Sequence, residues 1–283
     1  MVARAASRPV GGGGGLSPLG RGSGALRAAL DGKVVMVTGA SSGIGEAAAR
    51  MIADAGGTVL LVARSAETLD GLAAELGGAA HAMPCDLNDL DAIDRLADRA
   101  IAEHGRVDIL VNNAGRSIRR SLELSQDRFH DFERTMQLNY FGAIRLILRL
   151  LPSMREHGGG QIINVSSAGV QTRTPRFSGY IASKAALEAF SDAVQAETLG
   201  DGIRFTTISM PLVKTPMISP TEHYERFPAL TPEEAGKLVA EAIVGRPRRV
   251  APPFAHLVEA VDKVSPELMD NVRHRGYRMF PDG

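Results

Sequence analysis

The stretch that decides the fold runs Val34-Val35-Met36-Val37-Thr38-Gly39-Ala40-Ser41-Ser42-Gly43-Ile44-Gly45, and it leads into Glu46-Ala47-Ala48-Ala49. A short apolar run, three glycines and an alanine-rich segment read as strand, tight turn and helix. Gly39 allows the turn, Gly43 lets backbone approach a pyrophosphate, and Gly45 lets the helix pack close to the sheet. The first helical amides and the positive dipole end suit an anion. Ser41, Ser42 and Ile44 complete this candidate phosphate loop, whose Gly-x-x-x-Gly-x-Gly spacing differs from the Gly-x-Gly-x-x-Gly fingerprint.

Outward from that turn the pattern alternates. Val34–Val37, Val59–Val62, Ile109–Val111, Ile162–Val165 and Phe205–Ile208 are nearly continuous in Val, Ile and Leu, as strands of a parallel sheet buried on both faces are. His81–Pro84 is a weaker strand candidate. Between them, 43–55, 67–76, 90–103, 128–156 and 179–199 read as helices, with Ser65 the expected N-cap of the second. Thr231-Pro232-Glu233-Glu234 is a capping box with Pro at the first helical position, so a helix is expected to about Val244. The expected fold is α/β: one domain, a doubly wound, Rossmann-type parallel sheet with helices on both faces. It should span residues 31–250, with a mobile flap at 215–230 and a C-terminal extension at 251–283. Residues 1–30 carry Arg4, Arg8, Arg21, Arg27 and the run Gly11 to Gly15, with no acid before Asp31. That charge bias resembles a transit peptide, but glycine runs resist helix formation, and a disordered tail is expected.

The 283 residues hold 32 Lys plus Arg against 32 Asp plus Glu, so no global basic field favours nucleic acid. One cysteine excludes an internal disulfide framework and a Cys-built zinc site, and no metal is implied. No apolar run reaches membrane-spanning length. These features are compatible with a cytoplasmic setting.

Where an acid commonly binds the ribose of NAD, the end of the second strand reads Leu61-Val62-Ala63-Arg64. A guanidinium there suits a 2′-phosphate, so NADPH is the expected cofactor. Asp86 and Leu87 follow the third strand, where the carboxylate is placed to accept from an adenine amino group. Cys85 beside them reads as a small core residue. Asn112-Asn113-Ala114-Gly115 ends the fourth strand, Asn139 lies in a long helix, and Ser166-Ser167 ends the fifth strand. Tyr180 and Lys184 are four apart on one helical face, where an ammonium should lower the phenol from its usual value near 10 and make Tyr180 a proton donor to a carbonyl being reduced.

With these motifs assembled, the sequence from Lys33 to Gly245 resembles the short-chain dehydrogenase/reductase family. The resemblance implies that Tyr180 is the general acid/base, that Lys184 tunes it and bonds the nicotinamide ribose, and that Asn139 holds a water in a proton relay. It implies that Ser167, rather than Ser166, orients the substrate carbonyl. Asn113, Ala114 and Gly115 would support the cofactor. Pro211, Val213 and Thr215 would lie near the nicotinamide, although Leu212 stands where many relatives have glycine.

Three further stretches, Asn112 to Leu146, Met210 to Ile218 and Gly276 to Pro281, resemble the bacterial fatty acyl-CoA reductases of that superfamily. This likeness implies NADPH-dependent reduction of a long-chain acyl-CoA to the aldehyde. The residues alone say carbonyl reduction, so a reductase of 3-oxoacyl or other ketone and aldehyde substrates is one alternative and a non-catalytic NADPH-binding scaffold another. Arg116, Arg119 and Arg120 are candidates for the coenzyme A phosphates or are solubilising charges, with Arg173 and Arg176 secondary. Met217, Ile218, Tyr224 and Phe227 either line an acyl tunnel or anchor the flap. Phe254–Val264 is apolar on one side and suits a partner subunit or weak, peripheral membrane contact. A homodimer or homotetramer is expected by analogy, through helices 128–156 and 179–199.

Overall fold

The structure, a computed structural model, describes residues 19–217 and 227–279. Seven strands form one parallel sheet in the order β3-β2-β1-β4-β5-β6-β7. They are β1 (Val34–Thr38), β2 (Thr58–Ala63), β3 (Ala80–Pro84), β4 (Ile109–Asn112), β5 (Gly160–Ser167), β6 (Ile203–Met210) and the short β7 (Arg249–Val250). The order turns back between β1 and β4, and a crevice outside the carboxyl ends of the strands at such a point is where these sheets take ligands. The weak candidate at 81–84 is a true strand, in register with β2 through Leu60↔His81 and Val62↔Met83.

Helices α2 (Gly43–Asp54), α3 (Ala66–Leu76) and α9 (Pro232–Gly245) contribute to one apolar layer. Helices α4 (Leu90–His104), α6 (Ala143–Glu156) and α8 (Ser178–Thr198) contribute to the other. Met36, Leu60 and Leu110 point into one layer and Val35, Val37 and Leu61 into the other, as successive strand side chains must. The expected caps form: Ser65 accepts from the Thr68 amide, and Thr231 and Glu234 close a reciprocal capping box.

Four features depart from the sequence reading. First, Leu19–Leu30, expected to be disordered, is a helix (α1), and Leu26 and Leu30 are buried in the core beside Ile52 and Val239; residues 1–18 lie outside the described residues. Second, the expected helix 128–156 is α5 (Phe129–Met136), a π-helical turn Gln137–Gly142, and α6. The π turn brings Gly142 so close to the Leu87 carbonyl that a Cβ there would sit 2.4 Å from its oxygen. Third, α7 (Ala168–Thr172) intervenes between β5 and α8. Fourth, the C-terminal extension is a pair of helices, α10 (Pro253–Val264) and α11 (Pro266–Met279), with the former packed on α7. Phe254, Leu257 and Val264 of α10 are exposed, so its apolar side is uncovered in the single chain. Of the expected flap, Val213 bridges to Leu230, closing its base, and Met217 and Phe227 are exposed at its described ends. Ile218 and Tyr224 lie outside the described residues.

Candidate active site

The first turn is built as a cradle of bare backbone. Gly39 and Gly43 have φ of +68° and +58°, a left-handed region that favours glycine. A Cβ on Gly45 would lie 2.2 Å from the Gly39 oxygen, and one on Gly43 would meet Thr215 Cγ2 at 2.9 Å. Ser42 is the N-cap of α2 and its side chain makes no capping bond. Thr38 and Asn113 brace the turn: Asn113 Nδ2 donates to the carbonyls of Thr38 and Gly39, and the amides of Asn113 and Ala114 donate to Thr38 Oγ1. Asn113 thus shapes the loop from behind. The exposed Arg64 stands just beyond β2, within electrostatic reach of Asp86. The Asp86 carboxyl lies below its ordinary value, chiefly because it accepts the Asn88 amide proton. Leu87 is buried in the core, and burial pushes the neighbouring Cys85 thiol up to about 11.

The predicted catalytic residues converge at the carboxyl ends of β4 and β5. Ser167, the last residue of β5, caps α7 by accepting the Gly169 amide, and its hydroxyl lies beside the Tyr180 phenol. Ser166 faces the other way, where its hydroxyl bonds the Glu188 carboxylate. Lys184 is 4% exposed, and its Nζ donates to the Val165 carbonyl at 2.8 Å. Gly115 leaves room beside it, since a Cβ there would lie 3.4 Å from Nζ. Asn139 sits in the π turn, buried: its Oδ1 accepts the Arg116 amide at 2.8 Å, and its Nδ2 donates to the Arg116 carbonyl and to Ser183 Oγ, both at 2.9 Å.

The electrostatics correct one expectation. The Tyr180 phenol is not lowered; burial pushes it up, and the neighbouring Ser167 hydroxyl only partly offsets this. Burial also pulls the Lys184 ammonium down to about 8, with Glu188 opposing. Both shifts arise because desolvation disfavours the charged form. A protonated phenol is still the form that can donate to a carbonyl oxygen.

Beside Tyr180 a cleft is lined by Ile118, Arg120, Phe132 and Arg176. Arg120 pairs with Asp131 at 3.4 Å, so its charge is partly spent within the protein. Arg176 lies over the Tyr277 ring at 4.0 Å and donates to the Tyr277 carbonyl. Arg173 is turned away to Asp262 of α10, 2.5 Å distant. Glu188 and Arg249, in contact with each other at 3.0 Å, escaped sequence reading. The spacing Tyr180, Lys184, Glu188 was the available signal for Glu188; Arg249 offered none, because its strand is only two residues long.

Residues 33–226 match the family described as short chain dehydrogenase. An uncharacterized oxidoreductase of Mycobacterium tuberculosis is 58% identical over 263 residues, covering 91% of this chain and 77% of the relative. A fatty acyl-CoA reductase of Acinetobacter baylyi is 52% identical over 90% of this chain and 88% of its own. One from M. tuberculosis is 46% identical over 87% and 85%. The crystal structure of a 3-ketoacyl-(acyl-carrier-protein) reductase from Brucella melitensis, complexed with NADH, superposes with a TM-score of 0.72 at 27% identity, covering 78% of this chain and 96% of that one. On the match of its sequence and on this architecture, the chain belongs to the short-chain dehydrogenase family and is an oxidoreductase.

Proposed function

We propose that this protein uses NADPH to reduce a long-chain fatty acyl-CoA to the fatty aldehyde and free coenzyme A. The observation that carries the chemistry is the placing of the Ser167 hydroxyl beside the Tyr180 phenol at the end of β5, with Lys184 one turn along α8 and held to the Val165 carbonyl at 2.8 Å. The thioester substrate rests on the two relatives named fatty acyl-CoA reductase. NADPH rests on Arg64, which stands at the end of β2 with no carboxylate among its neighbours from Leu61 to Ser65.

The residues present fit a dinucleotide. The glycine turn keeps backbone surface open where a Cβ would fill it, and the amides opening α2 would receive an anion. Ser41, Ser42 and Ile44 would hold the pyrophosphate, Arg64 the 2′-phosphate, and Asp86 the adenine. Lys184 would hold the nicotinamide ribose, with Ala114, Gly115, Pro211, Val213 and Thr215 beside the ring.

When bound, the reduced nicotinamide supplies a hydride to the thioester carbon. Tyr180, kept protonated by burial, and Ser167 donate hydrogen bonds to the carbonyl oxygen as negative charge grows there. The tetrahedral oxyanion then re-forms its carbonyl and breaks the carbon–sulfur bond. Coenzyme A leaves as thiolate and takes up a proton, so each turnover consumes one hydride and one proton. Asn139 spends its side-chain amide inside the protein, so the water-holding role in a proton relay falls to its main chain. Arg116, Arg119 and Arg120, all half-buried after β4, would meet the coenzyme A phosphates, and Met217 and Phe227 the acyl chain. A homodimer or homotetramer through α6 and α8 completes the reading; Leu148 of α6 is exposed, as an intersubunit residue would be in one chain.

The test is the purified protein with NADPH and acyl-CoA thioesters of rising chain length. Aldehyde and one thiol per NADPH consumed are expected. Reduction of a 3-oxoacyl thioester to the hydroxy compound, with no thiol released from any acyl-CoA, would replace this reading by the ketone-reductase alternative.

A further inference from the structure

The buried carboxylate of Glu188 adjoins Lys184 and has no part in the mechanism above. Glu188 is 6% exposed and follows Lys184 by four residues, as Lys184 follows Tyr180, so the three lie along one face of α8. Each meets a different residue at the end of β5. Lys184 donates to the Val165 carbonyl, Glu188 accepts from the Ser166 hydroxyl, and Tyr180 stands beside Ser167. Three consecutive strand residues thereby face three consecutive turns of one helix.

We propose that Glu188 is a positioning residue for the Tyr180–Lys184 pair: its carboxylate keeps the Lys184 ammonium charged and, through Ser166, holds the end of β5 against α8. The inference rests on the catalytic roles assigned above to Tyr180 and Lys184. A buried ammonium is costly unless an opposite charge lies nearby, and among the described residues Glu188 is the carboxylate whose charge acts on Lys184. The groups packed around it are Tyr180 and Glu188 of α8, Asn139 of the π turn, Gly115 after β4 and the Val165 carbonyl. Glu188 in turn is faced by Arg249 of β7 at 3.0 Å, by Asp192 of α8 and by Ser166 of β5. Burial and Asp192 favour its protonated form, whereas Arg249 and Ser166 favour the carboxylate. Arg249 therefore anchors the charge that Lys184 feels, which gives the two-residue edge strand a task in the site.

The chain contains only five lysines, Lys33, Lys184, Lys214, Lys237 and Lys263, so protein labelled with 13C at lysine Cε gives a resolvable titration of Lys184. The native midpoint is expected near 8. Glu188→Gln keeps an acceptor for Ser166 and removes the charge. It should lower the midpoint by about half a pH unit, about threefold in the ratio of charged to neutral amine. The alkaline limb of NADPH-dependent reduction should move the same way. Glu188→Asp, which restores the charge, should bring the midpoint back towards native. A Lys184 titration in folded Glu188→Gln that superimposes on the native one overturns the proposal. If Glu188→Gln does not fold, infrared spectroscopy of the native protein decides. A protonated buried carboxyl band at pH 7.5 would show that the required charge is absent, and its absence there is the expected result. The titration needs no substrate, so its outcome stands apart from the functional reading. An active Tyr180→Phe enzyme would defeat that reading, whereas an unmoved Lys184 would defeat only the role of Glu188.

Discussion

In the proposed function, Arg64 is the single side chain that most directly sets cofactor selectivity. It stands beyond β2, exposed, with no hydrogen bond to restrain it among those described. A guanidinium pairs bidentately with a phosphate, whereas a carboxylate there would repel it and accept from ribose hydroxyls instead. Arg64→Asp should raise the KM for NADPH at least about tenfold and reverse the preference toward NADH. Parallel kinetics with both cofactors check this, and unchanged NADPH kinetics would remove Arg64 from the site. At this scale the sequence was highly readable. Gly39, Gly43, Gly45, Ser167, Tyr180 and Lys184 are demanded by local geometry or by contacts between residues at fixed spacing. The direction of the phenol shift was not readable, because it depends on how packing desolvates the half-buried Tyr180 and on where the Lys184 amine is drawn, here to the Val165 carbonyl.

At the scale of elements, the strands and most helices followed from apolar periodicity, and the failures have physical causes. Gly20, Gly22 and Gly24 cost α1 about 1 kcal/mol each relative to alanine. Burying Leu26 and Leu30 returns about 1.5–3 kcal/mol each, so tertiary packing outweighs local propensity. The π turn and α7 leave no periodic trace, since the Gly142–Leu87 approach and the Ser167 cap are long-range or single-residue matters. The C-terminal helices show a similar dependence on distant partners. Asp262 is 6% exposed and binds Arg173 at 2.5 Å and Arg273 at 2.6 Å, while Arg273 also donates to the Thr172 carbonyl. This fastens α10 and α11 to the loop that leads into Tyr180. Asp262→Ala leaves the largely buried Arg273 guanidinium without its carboxylate, and breaking a buried pair in this way costs about 3–5 kcal/mol, whereas the exposed Arg173 is re-solvated. A fall in Tm of several degrees, with faster proteolysis after α9, is the expected outcome in a melt and a limited digest. An unaltered melt would show that the hairpin is held by other contacts.

At the scale of the whole molecule, the sheet order places its reversal between β1 and β4, and the groups that the proposed chemistry uses lie at the carboxyl ends of the strands. The glycine turn follows β1, Arg64 follows β2, Asn113 follows β4, and Ser167 ends β5. Tyr180 and Lys184 reach back from α8 to the same ends. The central claim is that these groups act as one unit around the Tyr180 phenol. The measurement that tests it most directly compares native protein with Tyr180→Phe, following NADPH binding by fluorescence and turnover of an acyl-CoA by aldehyde formation. Removal of one hydroxyl should leave cofactor affinity within about twofold and lower turnover by about 10²–10⁴-fold. Turnover that survives in Tyr180→Phe at near-native rate would contradict the account.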